Sequence, residues 1–184
     1  RSPPRRATGA AMPDEPSIHE TLNDLLPPTE EDRFSNPVEA RKKAMDYLAR
    51  REHARAELFD KLTKAGFEPE TADVAIDRLV DDGLQNDQRF AEMFVQSRVN
   101  QGKGPVRIRA ELRERGLAGD VTDIALEAAE ADWYALAREV RVKKFGNAAP
   151  RDFNQKAKQM RFLQYRGFDQ DHIQAAVSVD NESA

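Results

Sequence analysis

From residue 38 onward, apolar residues return every three or four positions, and glycines interrupt the pattern at a spacing that itself repeats. In the first stretch Ala40, Ala44, Tyr47 and Leu48 share one helical stripe, and Leu58 and Leu62 share a second. Ala72, Ala75, Ile76, Leu79 and Val80 form a third, which Gly83-Leu84 stops. In the second stretch Phe90, Phe94 and Val95 lie on one face. Gly104-Pro105 then opens a helix, proline being favoured at the first helical position, with Ile108 and Leu112 on its core side. Asp120 is placed to cap a third helix that buries Val121, Ile124, Ala125 and Ala128. In the last stretch Trp133, Leu136, Ala137 and Val140 make the first stripe, ended by Phe145-Gly146. Phe153, Ala157, Met160 and Leu163 follow, then a short helix with Ile173, Ala176 and Val177. No segment alternates with period two over a strand's length, so the pattern predicts an all-α fold.

The three stretches are copies of one plan. Segments 58–67, 108–117 and 159–168 align, ending in Gly66-Phe67, Gly116-Leu117 and Gly167-Phe168. Glycine just past a helix end takes the left-handed conformation without steric cost, and the apolar residue after it folds back onto the last turn. Recurrence at about 50 residues marks a tandem array in which each unit buries part of its apolar surface against its neighbour. Three three-helix units are expected, over 38–84, 85–131 and 132–178, with a short tail at 179–184. Ahead of them, residues 1–37 hold seven of the ten prolines and no sustained apolar period, and are expected to be a disordered acidic, proline-rich tail. Within it, Ile18, Leu22, Leu25 and Leu26 fit a short docking turn, although a solvated linker explains the composition better. The chain opens on Arg1, so Met12 is a candidate start.

Composition refines this picture. At 184 residues, 39% hydrophobic and 34% charged, the chain suits several small cores better than one large one. There is no cysteine, and no apolar run reaches the roughly 18 residues that a membrane span needs, so a cytoplasmic chain with no membrane contact is expected. The three histidines, His19, His53 and His172, stand far apart, so neither a metal site nor a cofactor is expected. Carboxylates fall among Lys and Arg at helical spacing, as on solvated helix faces, and Gly102-Lys103-Gly104 follows a helix where a phosphate loop would follow a strand. A binding role is therefore expected, not an enzyme. The net charge of -4 argues against a simple nucleic-acid binder. Its distribution is uneven, however. From Trp133 to Phe168 there are nine cations against Glu139 and Asp152 alone. Two basic groups are candidate partner-binding residues: Arg98, Lys103, Arg107, Arg109 and Arg113 in the middle unit, and Lys143, Lys144, Lys156, Lys158, Arg161 and Arg166 in the last. For any one of them a solvated face is the commoner explanation; clustering favours a shared surface.

Four segments in order also resemble one family, the RecX regulators of recombination. They are Arg50–Leu58 (RREHARAEL), Asp87–Glu92 (DQRFAE), Gly102–Leu112 (GKGPVRIRAEL) and Arg161–Phe168 (RFLQYRGF). Ala54 departs from the family, which often has Ser there, and so lacks a capping hydroxyl. The resemblance implies three tandem three-helix repeats in an elongated, curved array. It also implies a monomer that lodges in the groove of the RecA filament on single-stranded DNA and mainly inhibits filament extension, ATP hydrolysis, strand exchange and SOS co-protease activity. Arg89 is expected to be an intramolecular anchor and Phe90 a core residue. The rival readings are a helical-repeat protein that binds single- or double-stranded DNA directly, without RecA, and a peptide scaffold. The first is weakened by Trp133, Tyr134 and Tyr165 falling at core or near-core spacing.

Overall fold

The computed structural model describes residues 29–178, together with Gly9, Leu22 and residues 25–27. Most of the expected N-terminal tail and the 179–184 tail lie outside the described residues. Within them the chain is all-helical and has no strand. It runs α1 (Glu30–Phe34), α2 (Pro37–Leu48), α3 (Arg55–Lys64), α4 (Pro69–Asp81), α5 (Asp87–Asn100), α6 (Pro105–Glu114), α7 (Gly119–Ala128), α8 (Trp133–Phe145), α9 (Phe153–Tyr165) and α10 (Gln170–Val177). Three separate apolar clusters form. Leu58, Leu62, Ile76 and Leu79 centre the first, Phe90, Val95, Ile108 and Leu112 the second, and Val140, Leu163, Phe168 and Ile173 the third.

Helical order begins earlier than the apolar pattern indicates. A capping box between Thr29 and Asp32 opens α1, whose single apolar residue, Phe34, stands edge-on to Phe67 with ring centroids 5.5 Å apart. One apolar residue carries no period, so the pattern alone does not show this helix. Elsewhere the stripes need rotation. In α7 the buried residues are Thr122, Ala125 and Leu126, while Ile124 is 53% exposed and Ala128 is exposed. Apolar residues surround α7 on most sides, so spacing alone does not choose its face. Asp120 is not the cap either: the helix starts at Gly119, and the Asp120 carboxylate accepts the Val121 N–H inside the first turn. Val80 and Phe153 also leave the core.

The second helices of the units, α3, α6 and α9, stand end to end. Gly116, at φ +80°, ends α6 against Ala56 in the first turn of α3. Gly167, at φ +92°, follows α9 and lies against Arg107 in the first turn of α6. At this second joint two backbones meet directly: the N–H groups of Gly104 and Val106 donate to the carbonyls of Arg166 and Gly167, each at 2.9 Å. A Cβ on Gly104 would fall inside 3.0 Å of the Gly167 carbonyl, so only glycine fits. Where a preceding unit would cover the end of α3, Phe34 does so instead. Its ring lies over Gly66, and its carbonyl accepts from the Glu68 N–H at 3.1 Å. Thus α1 closes this end of the column.

The first joint is polar. Glu52 takes Arg89 at 2.7 Å, and Arg89 also donates to the Gly83 and Leu84 carbonyls, so it is an intramolecular anchor. Glu57 takes Arg51 at 2.9 Å and Arg115 at 3.3 Å. Ala54 has no capping side chain and is buried in the second cluster. The capping acceptor comes instead from the next unit, where the Asp87 carboxylate accepts the Arg55 N–H at 2.8 Å. His53 is buried beside it, with Nδ1 2.9 Å from the Arg51 carbonyl and Nε2 3.1 Å from the Lys61 ammonium. A neutral ring satisfies both, donating from Nδ1 and accepting at Nε2. Burial, aided by the charges of Arg51 and Lys61, pulls its pKa below the ordinary value despite the hydrogen bond to Arg51.

Candidate interaction surface

The two basic groups have different surroundings. In the middle unit, Glu111 on α6 is partly buried and gathers three of the five cations: Arg98 at 3.0 Å, Lys103 at 3.5 Å and Arg107 at 3.7 Å. Burial alone would raise the Glu111 pKa, but the hydrogen bond from Arg98 and the charges of Arg98, Lys103 and Arg107 hold it below the ordinary carboxylate value. Arg98 also lies 4.1 Å over the Phe94 ring. Arg107 reaches across the joint to donate to the Tyr165 carbonyl at 3.3 Å, and Arg109 pairs with Asp123. Arg113 alone of this group is exposed and has no ion-pair partner among the described residues.

In the last unit none of Lys143, Lys144, Lys156, Lys158, Arg161 and Arg166 has a carboxylate partner within ion-pair distance among the described residues. Lys143 and Lys144 occupy the last turn of α8, where the helix dipole favours cations. With Arg166 they line a groove of about 670 Å³ that runs from the α5–α6 turn to Phe162. Lys144 and Arg166 flank the Phe162 ring at 5.8 and 5.6 Å, and Arg166 donates to the Gln101 carbonyl at 3.4 Å. Lys156 and Arg161 border a second groove, of about 460 Å³, between α9 and α10. Lys158 is exposed and lines neither.

In the last unit Tyr134, Tyr165, Phe153 and Arg141 were misread or missed from spacing; Tyr134 is 45% exposed. Tyr165 and Phe153 are each 82% exposed, although both fall at core spacing. Asp152 caps α9 through the Gln155 N–H, which starts the helix at Phe153, a full turn before the positions that face the core. Arg141, in the same basic run, is buried and bonds to the Ala148 carbonyl and to Gln159 Oε1, each at 3.3 Å. Its position beside Val140 on the buried side of α8 is the signal that separates it from Lys143 and Lys144. Among the described residues no group of three or more His, Asp or Glu is placed to hold a metal ion, and no helix is long and apolar enough to cross a membrane.

Comparison with known proteins agrees with this architecture. Family models of the first, second and third three-helix domains of RecX match residues 40–79, 86–126 and 130–177. The chain is 48% identical over 139 residues to the regulatory protein RecX of Halorhodospira halophila, covering 76% of this chain and 86% of that one. It is 46% identical over 140 residues to the RecX of Pseudomonas savastanoi pv. phaseolicola, covering 76% and 90%. Among solved structures, one of the regulatory protein RecX aligns with a TM-score of 0.66 at 20% identity, over 90% of this chain and 80% of that one. The RecX of Lactobacillus salivarius aligns with a TM-score of 0.62 at 25% identity, over 80% and 96%.

Proposed function

Because this chain belongs to the RecX family of regulatory proteins, we propose that it binds the RecA recombinase in the groove of its filament on single-stranded DNA and mainly inhibits it. The observation that carries this reading is the unpaired basic surface of the last unit. Lys143, Lys144 and Lys158 are exposed, held on packed helices and without a carboxylate partner among the described residues, so their charge is available to an anionic partner. The middle-unit cations play a different part. Glu111 holds Arg98, Lys103 and Arg107, so they stiffen the array and reach a partner through their outer edges.

The mechanism is occupancy. A rigid row of helices in the filament groove spans neighbouring subunits and opposes the motions on which filament growth, ATP hydrolysis, strand exchange and co-protease activity depend. No chemistry by this chain is required.

A second reading, direct DNA binding without RecA, gains one observation. Tyr165 offers an exposed ring one turn from Arg161, an arrangement suited to base stacking beside phosphate contacts. Fluorescence anisotropy separates the two. Labelled single-stranded DNA is titrated with the protein, with and without prebound RecA, at two salt concentrations. The first reading predicts tighter binding to the RecA filament than to bare DNA, weakened by Lys143→Glu/Lys144→Glu/Lys158→Glu. Equal affinity for bare DNA, falling steeply with salt, supports the second.

A further inference from the structure

The column α3, α6, α9 has two ends, and only one is closed. At the first joint, Arg55, Ala56, Phe59 and Asp73 line the recess that holds Gly116 of the next unit. In the register that places Gly66 on Gly167, these residues correspond to Lys156, Ala157, Met160 and Gln174, which line the open α9–α10 groove. The groove is therefore the face on which a fourth unit would sit. Its charge differs from that of its counterpart. Asp60 and Asp73 become Arg161 and Gln174, and the groove is lined by Lys156 and Arg161 with no carboxylate. Its apolar part, Ala157, Met160, Ile173 and the exposed Phe153, lies by the first turns of α9, at the positive end of that helix. The chemistry called for is an acidic segment with an apolar stripe.

The chain carries one. Ile18, Leu22, Leu25 and Leu26 recur at helical spacing among Asp14, Glu15, Glu20 and Asp24, with no Lys or Arg between Arg6 and Arg33. Leu22, Leu25 and Leu26 are 54, 76 and 63% exposed, so more than half of each is open to a partner. Leu26 is three residues before Thr29, a reach of about 11 Å at most. It is thereby tied to α1, at the end of the column opposite the groove. With 10, 10 and 13 residues, α3, α6 and α9 span on the order of 50 Å if collinear. At that span Leu26 cannot reach the groove of its own chain.

We propose that the α9–α10 groove receives residues 18–26 of a second copy, so that chains associate head to tail and continue the repeat array from one molecule to the next. The monomer expected from the sequence is then the low-concentration limit. Such a contact is heterologous and open, and it yields chains of increasing length, not a closed dimer. It is independent of RecA.

Sedimentation equilibrium of the full chain tests this. Weight-average mass should rise with concentration and pass that of a dimer. Leu22→Asp/Leu25→Asp/Leu26→Asp removes the apolar stripe and Lys156→Glu/Arg161→Glu reverses the groove, both at positions outside the buried cores. Each should weaken association by about tenfold or more with unchanged helicity by circular dichroism. Mixed together, the two variants should form a 1:1 complex that grows no further, since one keeps its groove and the other its segment. A wild-type chain that stays monomeric up to its solubility limit would overturn the proposal. So would association that survives either variant, or a mixture of folded variants that remains monomeric.

Discussion

Glu111 and His53 show how single side chains hold the array in shape. Glu111 is the common partner of Arg98, Lys103 and Arg107, so neutralising it leaves three cations crowded together without their counter-charge. Glu111→Gln should lower unfolding stability by about 1–2 kcal/mol, read from the urea midpoint. For the same reason, reversing Arg107 or Arg109 would disturb the joint and the Asp123 pair together with any partner contact. Lys143, Lys144 and Lys158 are better probes of binding. His53 adds a pH dependence whose sign follows from its neutral, buried state. As pH falls below about 6.5, the unfolded chain takes up a proton that the folded ring resists, so stability falls until the lowered folded pKa is reached and then levels. The urea midpoint should therefore drop between about pH 7.5 and 5.5, and His53→Gln should flatten that slope. An unchanged slope in the variant would assign the titration to another group.

At the scale of elements, the joints matter more than the helices. Gly104→Ala would push a Cβ into the backbone after α9. It should destabilise the chain by about 2 kcal/mol or more and speed hydrogen exchange at the Val106 amide, which donates to Gly167 across the joint. An unchanged melting temperature and exchange rate would contradict the close approach. Much of the helix plan was legible because a left-handed cap needs glycine, and Gly66, Gly116 and Gly167 recur in register with an apolar residue after each. The joints were not. Gly104 reads only as the opening of a helix until its partner at Gly167 is known, and nothing in the spacing of Asp87 shows that it caps α3. Spacing also failed where it could not choose a face, as in α7, and where an N-cap lengthened a helix beyond its core-facing part, as at Phe153.

For the whole molecule, charge pairing separates the units. Ion pairs such as Arg89–Glu52 and Arg115–Glu57 hold the first two units together, whereas the last presents lysines with no carboxylate partner among the described residues. The candidate set was legible as a list of cations, but its division was not, because pairing depends on carboxylates supplied by other helices. The array has a closed end at α1 and an open, basic end at α9. That polarity suits a protein that binds along another polymer. Titrating the full chain into RecA bound to single-stranded DNA, while following ATP hydrolysis, tests whether the Lys143, Lys144 and Lys158 surface engages RecA. The hydrolysis rate should fall saturably, with the fall shifted to about tenfold higher concentration or more by Lys143→Glu/Lys144→Glu/Lys158→Glu. A rate unchanged at every concentration, or a variant that inhibits as well as the wild type, would contradict it.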